Sequence, residues 1–152
     1  MAMTVDELVA AARDRVDRLD PVQAAEAAGE GGAAIIDVRP ESQRRRDGEI
    51  PGSYVAPRNA VEWRLCEETG WRDPRLPDRD GQPIILCAHG CQSSLLASTL
   101  VDLGFARAAD VIGGFDGWRD AGLPVVPFGD PSVNLVVPGG PGSPLEHIDP
   151  YA

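Results

Sequence analysis

Four short apolar runs, each closed by a turn signal and separated by stretches of helical spacing, restrict what this chain can fold into. Ala33-Ala34-Ile35-Ile36-Asp37-Val38 stops at Arg39-Pro40, and Ser53-Tyr54-Val55-Ala56 stops at Pro57. Pro83-Ile84-Ile85-Leu86-Cys87 is the third run, and Val111-Ile112 before Gly113-Gly114 is the fourth. Short continuous runs of this kind suit strands covered on both faces. Between them, Asn59 to Cys66 has room for a helix, and Phe115 to Asp120 fits one or two turns. Leu95, Leu96, Thr99, Leu100 and Leu103 trace a helical face that ends at Gly104. Strands alternating with helices predict an α/β fold, a central parallel sheet with helices on both faces.

The segments flanking this pattern read differently. Residues 1–32 are expected to form an N-terminal helical arm. Thr4 with Glu7 makes a capping box, and Val5, Leu8, Val9, Ala12, Val16 and Leu19 keep helical spacing. Asp20-Pro21 looks like a second N-cap and Gly29 a stop. Residues 33–127 hold the alternating pattern and form the domain proper. Residues 128–152 are a Pro/Gly-rich tail, in which Pro138 to Pro144 suits neither helix nor sheet interior. A packing role for the arm and a linker or surface role for the tail are the expectations.

Charge and residue types narrow the chemistry. The 152 residues carry a net charge of -10, concentrated at the two ends, while residues 33–127 are close to balance. All 14 basic residues are arginine. The absence of lysine excludes a Schiff-base lysine and a Walker-type phosphate loop. An acidic surface argues against the phosphate neutralisation that nucleic-acid binding needs. No apolar run reaches the ~20 residues of a membrane span, and the charged first twenty residues do not suit a secretory signal. Three cysteines, two of them four apart, do not make a disulfide framework and fit a reducing compartment, so the expected location is cytoplasmic.

Leu86-Cys87-Ala88-His89-Gly90-Cys91-Gln92-Ser93-Ser94 is where strand passes directly into helix. In open α/β sheets, ligands bind beyond the carboxyl ends of the strands. A tight loop entering a helix turns successive N–H groups toward one centre, a nest suited to anions. Such surroundings favour a thiolate, so Cys87 reads either as a nucleophile or as a buried, inert strand-end cysteine, and the spacing alone does not choose between them.

Around this loop the chain resembles the rhodanese family. Ile36-Asp37-Val38-Arg39 is similar to the family's opening strand motif, and Gly48-Glu49-Ile50-Pro51-Gly52-Ser53 to its Gly-His-Ile-Pro-Gly-Ala segment. Cys87 to Ser93 falls on its Cys-x-x-Gly-x-Arg-Ser loop, and Gly113 to Trp118 through Gly122-Leu123-Pro124 on its closing motif. The resemblance spans residues 33–127 in order. It implies a rhodanese-like fold and transfer of a sulfane sulfur from thiosulfate or a persulfide to a thiol or cyanide, through a Cys87 persulfide. Ala88, His89, Gly90, Cys91, Gln92 and Ser93 would then form the substrate cradle, with no cofactor and no metal. The partners it implies are a small sulfur donor and a thiol acceptor, the latter extending to an acceptor protein, without nucleic acid or membrane.

Two departures stand out. Gln92 replaces the family's loop arginine, which weakens dianion binding by roughly 1–2 kcal/mol. Arg58 is a candidate for the missing charge, against the plainer reading of a solvated arginine at a helix start. Cys91 is a second thiol within the loop. It is either a small packed residue or a thiol that attacks the Cys87 persulfide and leaves a disulfide. His89 reads as a cradle donor or a partner for incoming anions, since a preformed thiolate needs no base. Glu49 stands where the family usually has His, either solvated or paired with Arg44, Arg45 or Arg46. Asp37 with Arg39 suits a structural ion pair. The alternative function is a non-catalytic rhodanese-like module that binds a partner or senses redox state through Cys87 and Cys91. Phosphatase chemistry is a third reading, disfavoured because no arginine closes the loop.

Overall fold

A computed structural model describes residues 1–135. Six strands form one all-parallel sheet in the order β1-β5-β4-β2-β3-β6. In chain order the elements are α1 (Val5–Arg13), β1 (Asp17–Leu19), α2 (Pro21–Ala28), β2 (Ala33–Asp37), α3 (Glu41–Asp47) and β3 (Tyr54–Val55). They continue with α4 (Val61–Leu65), a 3₁₀ turn at Glu67–Thr69, β4 (Gln82–Leu86), α5 (Gln92–Asp102), β5 (Ala109–Val111), α6 (Gly114–Asp120) and β6 (Asn134–Leu135). The α/β class expected from the sequence is the one observed.

Side chains alternate across the central strands into two separate cores, which is why the apolar runs are continuous. Ile36 and Ile85 face one side, with Val61, Leu65, Leu96, Leu100 and Phe105. Ile35, Ile84 and Leu86 face the other, with Ala24, Phe115 and Trp118. Helices α4 and α5 thus cover one face, and α2 and α6 the other. Both N-terminal helices begin as the sequence predicts: Thr4 and Glu7 close a capping box on α1, and Asp20 and Gln23 do so on α2, with Pro21 in its first turn.

The arm departs from its expected form. The helical spacing from Val5 to Leu19 does not make one helix, because α1 ends at Arg13 and Asp17–Leu19 form an edge strand. An unpaired sheet edge offers a row of donors and acceptors, and β5 uses its edge to recruit β1 in parallel register, Asp17 opposite Ala109 and Leu19 opposite Val111. That pairing overrides a weak helical preference. The opposite edge gains β6, in which Asn134 lies opposite Tyr54. This strand falls in the stretch expected to be tail. Pro138 to Pro144 lie outside the described residues.

Candidate active site

Strand β4 is buried along its whole length and ends at Leu86, so Cys87 emerges at the carboxyl edge of the sheet. Its neighbour β2 ends at Asp37 and delivers Arg39 to the same edge. The chain leaves β2 toward β3 on one side and leaves β4 toward β5 on the other, so a crevice opens between their ends. Gly90, at φ 87°, turns the loop back over Cys87 before α5 begins at Gln92. The closing motif supports the loop from beside it. The amides of Phe115 and Asp116 donate to the carbonyls of Cys87, at 2.8 Å, and Ala88, at 3.2 Å. A side chain on Gly114 would meet the Cys87 carbonyl oxygen at 2.4 Å, so this contact requires glycine.

Cys87 is 6% exposed, and polar groups surround its sulfur. Sγ accepts from the Gly90 amide at 3.2 Å and from the Ser93 amide at 3.4 Å. The thiol lies 3.3 Å from Ser93 Oγ, to which it donates. Two members of the expected cradle therefore reach the sulfur with their backbone N–H groups, and one of them also through its side chain.

Beneath the loop lies a carboxylate that sequence reasoning missed. Asp110 of β5 is fully buried and accepts from Ser93 Oγ at 3.0 Å and Ser94 Oγ at 2.7 Å. Its other oxygen accepts from Arg18 Nε at 3.0 Å. A buried charge persists when paired and hydrogen-bonded, and Asp110 is both. From Cys87 the hydrogen bonds thus run through Ser93 to Asp110 and on to Arg18, an arginine of the N-terminal arm. Arg13 joins from the end of α1. It donates from Nη2 to the Gly90 carbonyl at 2.9 Å and from Nε to Ser94 Oγ at 3.2 Å, and its Nη2 lies 3.9 Å from Cys91 Sγ.

A cavity of about 220 Å³ opens on the sulfur, lined by Arg39, Pro40, Gln43, Cys87, Ala88, His89, Cys91 and Gln92. Of the predicted residues, Ala88, His89, Cys91 and Gln92 therefore line it with Cys87, while Gly90 and Ser93 hold the sulfur from behind. Arg58 is not brought to Cys87. It lines an adjoining groove of about 570 Å³, which shares Arg39, Pro40 and Gln92 with the cavity, and its guanidinium pairs with Glu62 at 3.1 Å. The arginine that lines the cavity is Arg39. It pairs with the buried Asp37 at 2.7 Å and lies over the Phe115 ring at 3.8 Å, the structural pair that the sequence suggested. His89 lines the cavity and hydrogen-bonds through Nδ1 to Asp116 at 2.6 Å. Glu49 is buried and paired with Arg44 at 2.6 Å, so of the two expected fates the ion pair holds. Cys66, the remaining thiol, sits in the core, where burial pushes it up and makes it a poor nucleophile.

Asp110 had a signal that sequence reasoning passed over: a lone carboxylate inside Ala108-Ala109-Asp110-Val111, a run otherwise suited to burial. Arg13 and Arg18 had none, since their roles depend on pairing across more than seventy residues of chain.

Comparison with known proteins identifies relatives of the chain and of its fold. The model of the rhodanese-like domain matches residues 20–121. The thiosulfate sulfurtransferase GlpE of Actinobacillus pleuropneumoniae is 34% identical over 107 residues, 70% of this chain and 90% of the relative. That of Haemophilus influenzae is 32% identical over 94 residues, covering 62% and 80%. Among solved structures, a Rhodopseudomonas palustris protein of unknown function, named a possible tyrosine phosphatase, superposes with a TM-score of 0.74 at 29% identity. The match covers 83% of this chain and 96% of that one. The polysulfide-sulfur transferase homodimer of Wolinella succinogenes shares the fold at a TM-score of 0.63 and 24% identity, over 80% and 85% of the chains. The motifs read along the sequence, the sheet that positions them and the family match over 20–121 agree: the chain belongs to the rhodanese-like domain family.

Proposed function

We propose that this protein is a rhodanese-type sulfurtransferase that carries a sulfane sulfur on Cys87. The observation that carries the reading is the Cys87 sulfur, held by the amides of Gly90 and Ser93 at the floor of a cavity of about 220 Å³. The relatives named thiosulfate sulfurtransferase support the reaction class. In the first half-reaction the Cys87 thiolate attacks the outer sulfur of the donor. A new S–S bond forms, the donor's own S–S bond breaks, and with thiosulfate the sulfite leaves with the electron pair. In the second half, an acceptor thiol or cyanide attacks the outer sulfur of the persulfide, and Cys87 leaves as thiolate. The kinetics are ping-pong, as for any covalent carrier. Fixed donors that need no reorganisation stabilise the negative charge on sulfur throughout.

Donor preference follows from the charges. Gln92 lines the cavity, and the positive charge of Arg39 is compensated by Asp37. A dianion such as thiosulfate therefore meets less attraction than it would with an arginine at position 92, and a persulfide donor is preferred. The test is the mass of the peptide holding Cys87 after incubation with thiosulfate, and separately with glutathione persulfide. A gain of one sulfur atom, removed by cyanide as thiocyanate and absent in Cys87→Ser, is the expected result. No gain from either donor, with Cys87 reduced and accessible, would favour a binding module instead. The Rhodopseudomonas neighbour keeps phosphatase chemistry in view. Turnover of p-nitrophenyl phosphate is expected to be absent, because no cationic side chain closes the loop.

A further inference from the structure

Cys87 and Cys91 line one cavity but differ in access: Cys87 is buried at its floor and Cys91 is exposed at its rim. The rim thiol has a distinctive neighbour. Arg13 Nη2 lies 3.9 Å from Cys91 Sγ. The arginine is fixed by Gly90 O and Ser94 Oγ, and among the described residues no carboxylate pairs with it. A positive charge without its own counter-ion thus faces the sulfur of Cys91, whereas Arg39, the arginine lining the inner cavity, is compensated by Asp37.

We propose that Cys91 is a second sulfur carrier, receiving the sulfane sulfur from Cys87 and presenting it to acceptors too large to reach the cavity floor. This inference rests on the sulfurtransferase reading above. The Cys91 thiolate attacks the outer sulfur of the Cys87 persulfide. A bond from Cys91 Sγ to that sulfur forms, the bond from Cys87 Sγ breaks, and Cys87 leaves with the electron pair as thiolate, back among the amides of Gly90 and Ser93. The proton of the persulfide stays on the transferred sulfur. The sulfur keeps its oxidation state, so the step needs neither oxidant nor reductant. Arg13 would then be the positioning residue that holds the loaded Cys91 at the rim.

The test is single-turnover loading with thiosulfate or glutathione persulfide, rapid alkylation, and fragmentation of the tryptic peptide spanning residues 80–107, which contains both thiols. The expected result is sulfur first on Cys87 and then on Cys91, with none on either residue in Cys87→Ser. In Cys91→Ser the discharge of Cys87 to a protein-borne thiol such as reduced thioredoxin, too large to enter the cavity, should slow by about tenfold or more, since the tethered thiol that meets it at the rim is lost. Arg13→Gln should move the partition back toward Cys87, and Arg13→Lys should restore it. Sulfur confined to Cys87 at all times overturns the relay alone. So does sulfur on Cys91 of Cys87→Ser, or a Cys87–Cys91 disulfide formed with release of sulfide. No sulfur on either thiol of the wild type overturns the sulfurtransferase reading itself.

Discussion

Gly90 aims its amide at the sulfur of Cys87 across 3.2 Å, and it does so from a left-handed backbone at φ 87°. A side chain there is opposed twice, since the conformation disfavours a Cβ and the Cβ would meet the Gly113 and Gly114 nitrogens at 2.8 and 3.1 Å. Gly90→Ala is expected to cost about 1–3 kcal/mol of stability. Its effect on sulfur loading should be larger than its effect on folding, because the same shift misdirects a donor to Sγ. Chemical denaturation and single-turnover loading, measured on the same preparation, check the two parts separately.

Gln92 offers a gain of function. Gln92→Arg should lower the Michaelis constant for thiosulfate about 5- to 30-fold, the difference between a charged and a neutral hydrogen-bond partner. The constant for glutathione persulfide should change less, which makes the ratio of the two the informative quantity. An unchanged thiosulfate constant would refute the charge argument.

Glu49 is buried, accepts from Arg44 at 2.6 Å, and takes a further hydrogen bond from the Gly129 amide at 3.2 Å. Removing one partner of a buried pair leaves an uncompensated charge, so Glu49→Ala should lower the unfolding free energy by about 3–5 kcal/mol. The double variant Glu49→Ala with Arg44→Met should recover part of the loss. Urea denaturation of the single and double variants measures both.

Tyr54 and Asp73 form a pH-dependent contact. The phenol donates to Asp73 Oδ2 at 2.7 Å. Burial pushes the Asp73 carboxyl up, but hydrogen bonds from Arg75 and Tyr54 outweigh it and hold the group down at about 2, against an ordinary 3.8. A depressed carboxyl contributes stability that is complete above the unfolded value and is lost as pH falls through the folded one. Tyr54→Phe should therefore destabilise by about 1.5–3 kcal/mol at neutral pH, with the difference shrinking from about pH 4 toward pH 2. Denaturation midpoints across that range, wild type against variant, test the sign.

How much of this was legible in the sequence depends on the range of the interaction. Cys87 and its loop were readable because a buried run, a glycine at the turn and a following helix are local features, and the order of the motifs supplied the fold. The same local reading carried Val16 and Leu19 into a helix, because what makes Asp17–Leu19 a strand is an edge of β5 some ninety residues away. Arg58 looked suited to the site because it follows β3 closely in sequence. In space, its guanidinium pairs with Glu62 in the groove beside the cavity. Arg13 and Arg18, which do reach the loop, lie in a segment whose spacing suggested only packing.

The latch from Arg18 to Asp110 changes what fraying means for this molecule. A three-residue strand at a sheet edge would ordinarily open with little resistance. Here, detaching β1 would strip Asp110 of its cation while the carboxylate stays enclosed, and an enclosed charge without its partner is costly. Opening of the N-terminal edge and disordering of the loop over Cys87 are thus one event rather than two. Amide exchange at Asp17, whose N–H donates to the Ala108 carbonyl just before β5, should report the lifetime of the competent loop.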